Sequence, residues 1–196
     1  MTTLTEQARP SKKQSCNMDL PAAGWGLAEA TVFFIVPDVL ISWVVARHGL
    51  AAGLRACMMA LIGAVGGGAL LYLCAMMFPA GISSLMQHIP AITPATVEAA
   101  NGLVAMHGWL TGMTLGSLQG IPYKLFAIQA AETGPALLSF MLVSLPARAL
   151  RFVLLACVAA LLSWLIQRYD QRLRPDWALS AIWASFYLWF FSVAGG

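Results

Sequence analysis

The chain has 196 residues, of which 60% are hydrophobic and only 10% are charged, and its formal net charge is +3. An ordinary soluble domain carries about 25% charged residues, so a soluble protein of this composition would expose large apolar patches. The mean hydropathy of +0.77 is typical of a polytopic membrane protein, and the small, scattered positive charge excludes a nucleic-acid-binding protein.

The first predicted element is a polar tail, residues 1–19, interpreted as a retained cytoplasmic segment because no small-residue cleavage site follows it. Segment 21–47 is apolar but is interrupted by Pro37 and contains Glu29 and Asp38. Proline breaks a helix, and backbone groups freed at membrane depth must be buried in protein or line water. We therefore predict a re-entrant hairpin that bends near Pro37.

Segment 56–78 has no charged residue and is long enough to cross a bilayer, so it predicts a membrane-spanning helix between Arg55 and Pro79. The connection 79–102 that follows contains no Lys or Arg. Within it, Thr93 followed by Pro94 is typical of a helix start, which predicts a short surface helix from 94 to about 106.

A second interrupted segment, 103–132, contains "GIPYK", with Gly120, Pro122, Tyr123 and Lys124. It predicts a second hairpin whose bend lies at these residues. A helix over 135–167 and a C-terminal transmembrane helix over 176–196 complete the chain, with a basic loop at 168–174 between them.

An internal repeat appears when the chain is displaced by 85 positions, because Pro37 then falls on Pro122 and Gly49 falls on Gly134. Each copy consists of an interrupted hairpin, a glycine and a long apolar helix. The predicted fold is an all-α polytopic membrane protein with an inverted repeat. Such repeats place a binding site near the bilayer midplane. The boundaries are a membrane domain 20–175 that holds repeat 1 (about 20–78) and repeat 2 (about 104–167), followed by the C-terminal helix.

The basic residues predict the orientation. The tail, the 47–55 connection and the 168–174 loop carry them, and the 79–102 connection does not. Because Lys and Arg favour the cytoplasmic side, we expect a multi-pass protein of the bacterial inner membrane with a cytoplasmic N-terminus. The alternative is that the first hairpin consists of two full crossings.

Charged residues inside the apolar segments are the candidate site. Each costs at least about 2.5 kcal/mol at the bilayer centre, so they usually pair or line a water-filled cavity. Arg148 and Arg151 share one helix face and would face Glu29 and Asp38. Arginine suits phosphate, and a carboxylate in a low dielectric suits proton exchange. We therefore predict Glu29 and Asp38 as a proton-coupling or substrate site and Lys124, Arg148 and Arg151 as phosphate or lipid ligands.

Other interpretations stay open for these residues. Glu29 could lie at headgroup level as a helix-end residue, and Asp38 could serve only as the N-cap of the second hairpin arm. Lys124 and Glu132 could extend to opposite membrane interfaces.

No metal, cofactor or catalytic residue is predicted. The four cysteines have no metal-ligand spacing, and we expect no disulfide. The sequence also lacks GxSxG, HExxH and comparable catalytic motifs, so we do not expect an enzyme.

Three short motifs occur together in this chain: Glu29 with "FFIVPDVLIS", the "GIPYK" turn and the "R..RF" run that begins at Arg148. In this combination the chain resembles the DedA family of VTT-domain membrane proteins, in particular a branch with a Pro-Tyr-Lys turn. The resemblance covers about residues 20–170. It implies two re-entrant hairpins in an inverted repeat, and Glu29 and Asp38 as the acidic pair. Gln119 stands where the family has the first of two arginines around the proline turn, and Lys124 stands near the second.

The resemblance implies lipid movement across the bilayer. We expect a transporter that flips or scrambles phosphate-bearing lipids, a phospholipid or a polyprenyl phosphate, with protons as the second partner; a homo-oligomer stays open. The alternatives are a non-catalytic membrane homeostasis or assembly factor and an integral membrane enzyme acting on lipid phosphates.

Overall fold

The computed structural model describes residues 16–31, 33, 35–86, 89, 92–170 and 172–194, and its regular structure is entirely helical. Residues 1–15 of the predicted tail lie outside this range, and residues 16–19, also predicted as tail, already belong to the first helix. The eight helices are α1 (Cys16–Thr31), α2 (Asp38–His48), α3 (Leu50–Met77), α4 (Pro79–Met86), α5 (Pro94–Leu118), α6 (Tyr123–Thr133), α7 (Leu137–Tyr169) and α8 (Pro175–Ala194).

The first three helices reverse direction twice. Asp19 near the start of α1 pairs with Arg55 near the start of α3, at 2.6 Å. Ala30 near the end of α1 lies against Gly67 of α3, so α1 and α3 run in the same direction. Helix α2 runs the opposite way and ends at Gly49, from which α3 begins. The chain therefore turns back between Thr31 and Asp38, where the sequence predicts a hairpin, and this connection is called the first bend.

Glycines of α3 allow the backbones of α1 and α3 to contact each other directly. A Cβ atom on Gly63 would lie 1.9 Å from the carbonyl oxygen of Ala23, and one on Gly67 would lie 2.6 Å from that of Leu27. The spacing of four residues between Gly63 and Gly67 places both glycines on the helix face that meets α1. This close approach brings the last turn of α1 to the middle of α3.

Helices α5, α6 and α7 form a second unit with the same order. Helix α5 contains an unpredicted break at Gly108, whose φ of 74° and ψ of 173° belong to a region that is essentially restricted to glycine. Beyond the break, α5 runs in the same direction as α7, because Ser144 contacts Met113 and Arg151 contacts Ser117 further along both helices. Helix α6 runs back and joins α7 through Gly134, so the chain reverses in the second bend, residues 119–122.

Helices α3 and α7 pack against each other in opposite directions. The Sγ of Cys57 donates to the carbonyl of Phe152 at 3.4 Å, and the hydroxyl of Tyr72 donates to the carbonyl of Pro135 at 2.9 Å. Both bends consequently lie beside the middle of α3, where Gly68 contacts the ring of Tyr123.

Helices α3 and α7 are long and apolar enough to cross a membrane, which weakly indicates a membrane protein. They correspond to the predicted helices over 56–78 and 135–167. The predicted helix start at Thr93 is confirmed, since its side chain accepts from the backbone N–H of Thr96. Helix α4 was not predicted.

Basic residues collect at one end of the bundle. Arg47 at the end of α2 and Arg174 before α8 both donate to Asp176, at 3.1 and 2.8 Å. The start of α3, with Arg55, lies at the same end because α2 leads directly into it. This end also receives the end of α7, because α7 runs opposite to α3.

Candidate functional site

Five charged residues meet where the two bends approach each other. Glu29, Asp38, Lys124 and Arg148 are at most 6% exposed, and the side chain of Arg151 is 24% exposed. They come from two pairs of helices, α1 with α2 and α6 with α7, which are far apart in sequence, so only the fold brings the two pairs together.

Arg151 connects the two bends. Its Nε and Nη2 donate to Oδ2 of Asp38 at 3.2 and 2.6 Å. Its Nη1 donates to the carbonyl oxygen of Ser117 at 3.0 Å. Asp38 is the first residue of α2 and Ser117 lies in the last turn of α5, so a single guanidinium group holds the first bend against the second.

Arg148 lies deeper and is enclosed more completely. Its Nη2 donates to the carboxylate of Glu29. Its guanidinium carbon lies 4.3 Å from the centre of the Tyr123 ring and 5.0 Å from that of Phe152. Cation–π contacts of this kind stabilise a desolvated guanidinium by about 2 kcal/mol. The hydroxyl of Tyr123 in turn donates to Ser144 at 2.9 Å, which fixes the ring against Arg148.

Lys124 is held by a carbonyl rather than a carboxylate. It lies in the first turn of α6, and its Nζ donates to the carbonyl oxygen of Phe33 in the first bend at 2.9 Å. None of the ion pairs of the described residues includes it. Three basic and two acidic side chains therefore give the cluster a net charge of +1 when all five are ionised.

A cavity of about 460 Å³ opens beside this cluster. Glu29, Lys124 and Arg151 line its charged end, and Asp38 and Arg148 lie behind them. Its walls are mostly apolar and come from both bends and from α8: Phe33, Val36, Ile121, Pro122, Ile182, Trp183, Phe186 and Phe190. A cavity of this size and composition suits an amphiphile whose charged group is anionic.

Of the predicted bend residues, Gly120 and Pro122 line the cavity, whereas Pro37 and Tyr123 do not. Pro37 is the N-cap of α2 and Pro122 that of α6. Gly120 has a φ of 84°, a conformation that glycine adopts without strain. Tyr123 starts α6 and is buried against Arg148 and Ser144.

Burial and contacts bear on the alternatives that the sequence leaves open for Lys124, Glu29 and Asp38. Lys124 is buried at the cluster, whereas Glu132 is exposed. Glu29 is buried against Arg148 although it lies in the last turn of α1. Asp38 makes no capping hydrogen bond and pairs with Arg151 instead.

Two residues of α8 were not predicted to belong to the site. Trp183 Nε1 donates to the hydroxyl of Ser42 at 2.8 Å, and the hydroxyl of Tyr187 accepts from the backbone N–H of Val36 at 3.1 Å. The spacing of four between Trp183 and Tyr187 places them on one helix face, and that signal could have identified the face of α8 that covers the site.

A second cavity, of about 470 Å³, lies between α4, α5 and α6. Glu98 and Glu132 are its charged lining residues in the described chain, and it contains none of the predicted site residues. Within the described ranges, no group of three or more His, Cys, Asp or Glu side chains is placed to hold a metal ion.

Comparisons with protein-family models, with curated proteins and with solved structures find no match to this chain. The site must therefore be interpreted from its own chemistry.

Proposed function

We propose that the chain is a polytopic membrane protein that moves phosphate-bearing lipids between the leaflets of a bilayer, by flipping or scrambling, with proton exchange at the site. The observation that carries the proposal is the buried cluster of three cations and two carboxylates at the charged end of an apolar cavity. Buried charge is costly in a membrane and is commonly retained for transport of ions or charged substrates.

The order and direction of the helices support an inverted repeat. In each unit a helix, a bend and a returning helix precede a long helix, and the two long helices run in opposite directions. Corresponding bends with Pro37 and Pro122 at the helix starts meet beside the middle of α3. In transporters built from inverted repeats, broken helices of this kind carry the substrate site.

In this proposal α3, α7 and α8 cross the membrane, and the two bends reach its middle from opposite sides. The end of the bundle that carries Arg47, Arg55 and Arg174 faces the cytoplasm, in agreement with the preference of basic residues for that side. We place the protein in the bacterial inner membrane with its N-terminus inside.

We infer roles for the charged residues from the chemistry of the site. Lys124 and Arg151 line the cavity and would bind a phosphate, since the guanidinium group makes paired hydrogen bonds to phosphate oxygens. Arg148 does not line the cavity; it would hold Glu29 in place. When a phosphate replaces Asp38 on Arg151, the released carboxylate is buried without a partner, and binding a proton removes its charge.

Membership in the DedA family, in the branch with the Pro-Tyr-Lys turn, is part of this proposal. Both phospholipids and polyprenyl phosphates present the same anionic group to Lys124 and Arg151, so a panel of both lipid classes must be tested.

The test is a liposome assay with the purified protein. A labelled lipid phosphate is placed in one leaflet, and its appearance in the other is measured with and without a proton gradient. We expect wild type to move lipid and Glu29→Gln, Asp38→Asn and Arg151→Gln to be at least about tenfold slower, since each removes a charged hydrogen bond. Asp19→Asn, at the exposed pair with Arg55, is the matched control and should remain active.

Two outcomes would exclude the proposal. If folded wild type moves no lipid of the panel under either condition, the assembly-factor alternative takes its place. If mass spectrometry finds that the lipid has been covalently changed, the protein is an enzyme.

A further inference from the structure

Helix α8 covers the cavity from one side only. It packs against α2 and α7, and within the described chain it makes no extended contact with α5 or α6. Trp183 contacts Ser42, and Tyr187 contacts the backbone of Val36, so these polar contacts of α8 reach α2 and the bend before it. Helix α8 is therefore fixed to α2 and α7, and within the described chain it makes no extended contact with the helices on either side of the second bend.

The cavity is open where α8 faces the second bend. Ile182 and Phe186 line the cavity yet are 58% and 45% exposed. On the other side of this seam lie Gly120, Ile121 and Pro122, which also line the cavity. Here "seam" denotes the boundary between Ile182 and Phe186 of α8 and residues 120–122. In a membrane-embedded chain, apolar rims favour hydrocarbon over water in such an opening.

We propose that the seam is a lateral entrance through which one hydrocarbon chain of an anionic amphiphile lies, with its charged group on Lys124 and Arg151. This inference rests on the proposed function and adds the path of the apolar part of the ligand. The occupant follows from charge complementarity, because the inner end of the cavity carries Lys124, which forms no ion pair with the described residues, and the seam itself carries no charge.

The volume of the cavity indicates that it encloses only part of a lipid molecule. About 460 Å³ lies near the lower end of the range for small-molecule sites, which is enough for a phosphate headgroup and the beginning of one chain but not for a whole two-chain lipid. The remainder of the chain must extend through an opening, and the seam provides an apolar one.

The test uses a phosphatidic acid with a diazirine near the top of one acyl chain, in liposomes of phosphatidylcholine that contain the full-length protein. After illumination, labelled residues are identified by mass spectrometry. We expect labelling to concentrate on Ile182, Phe186 and Ile121. Leu188, on the outward side of α8 and 74% exposed, reports the background labelling by bulk lipid.

Two comparisons show whether the label reports a bound lipid. Lys124→Gln should lower labelling at the seam about tenfold, because it removes a charged contact, and should leave Leu188 unchanged. With wild type, a phosphatidylcholine carrying the same diazirine should label the seam no more than it labels Leu188. This second comparison does not depend on the folding of any variant. Equal labelling of seam and Leu188 by the phosphatidic acid probe would overturn the inference.

The outcome is separable from that of the transport assay. Seam labelling without movement between leaflets would exclude the proposed transport and retain the lipid entrance. Movement between leaflets with labelling no higher at the seam than at Leu188 would exclude the entrance and retain transport.

Discussion

Removing one charge from the buried pair of Glu29 and Arg148 should destabilise the protein far more than the same change in an exposed pair. Both side chains are at most 7% exposed, and Arg148 is enclosed by the rings of Tyr123 and Phe152. In Glu29→Gln the guanidinium group remains buried without a carboxylate, and arginine cannot lose its proton at any relevant pH.

The magnitude follows from this burial. Breaking a buried ion pair by removing one partner costs about 3–5 kcal/mol, because the other charge is left uncompensated. The pair of Asp19 and Arg55 has a similar separation of 2.6 Å, but Arg55 is 55% exposed. Asp19→Asn should therefore cost only about 0.2–1 kcal/mol. The double variant Glu29→Gln with Arg148→Gln should be more stable than Glu29→Gln alone.

Arg148→Gln should behave differently from Glu29→Gln as pH changes. It leaves a buried carboxylate that can lose its charge by binding a proton, so its penalty is largest at high pH and shrinks as the pH falls. The penalty of Glu29→Gln should not vary with pH over the same range, since Arg148 keeps its charge.

Unfolding by denaturing detergent, followed by tryptophan fluorescence in mild micelles, gives the free energies for wild type and the four variants. A penalty for Glu29→Gln no larger than that for Asp19→Asn would refute the assignment of a buried, charged pair. So would a double variant as unstable as the sum of its single changes, because the two side chains would then not interact.

Two further predictions concern glycines, each with a control on the same helix, and thermal unfolding checks both. Gly63→Ala should destabilise by about 1–3 kcal/mol, since its Cβ would lie 1.9 Å from the carbonyl oxygen of Ala23, whereas Gly66→Ala meets no atom within 4 Å and should be neutral or stabilising. Gly108→Ala should destabilise the protein by about 1–3 kcal/mol because of the backbone conformation at this position. Gly102 is helical and has free space around it, so Gly102→Ala should stabilise the protein by about 0.5–1 kcal/mol. Equal effects within either pair would contradict the explanation for that pair.

The two bends could be predicted because proline acts locally. Pro37 and Pro122 interrupt otherwise continuous apolar segments, and the helices start immediately after them. The break at Gly108 could not be predicted in the same way, because a glycine in an apolar helix fits either helical or left-handed backbone. Its conformation depends on how α5 must turn to bring 109–118 beside α7.

The site was only partly predictable for a related reason. The cost of buried charge selects Glu29, Asp38, Arg148 and Arg151 from the sequence alone, but it does not say which carboxylate meets which guanidinium. The position of Lys124 was the least certain, because a long side chain on an apolar helix reaches an interface as readily as a buried partner. Its contact with the carbonyl of Phe33 depends on the meeting of two bends far apart in sequence.

Under the proposed function, the contacts of Arg151 and Lys124 also determine the order in which an anion and a proton act. All three nitrogens of Arg151 already donate, to Asp38 and to Ser117, whereas Lys124 donates to a carbonyl alone. An arriving phosphate therefore meets Lys124 first and gains Arg151 only by displacing Asp38.

That displacement would leave a buried, unpaired carboxylate, which is costly unless it binds a proton. Phosphate binding at Arg151 and protonation of Asp38 must then favour each other to the same extent, by linkage. In this proposal, proton binding is thermodynamically coupled to phosphate binding because the ion pair of Asp38 and Arg151 is buried.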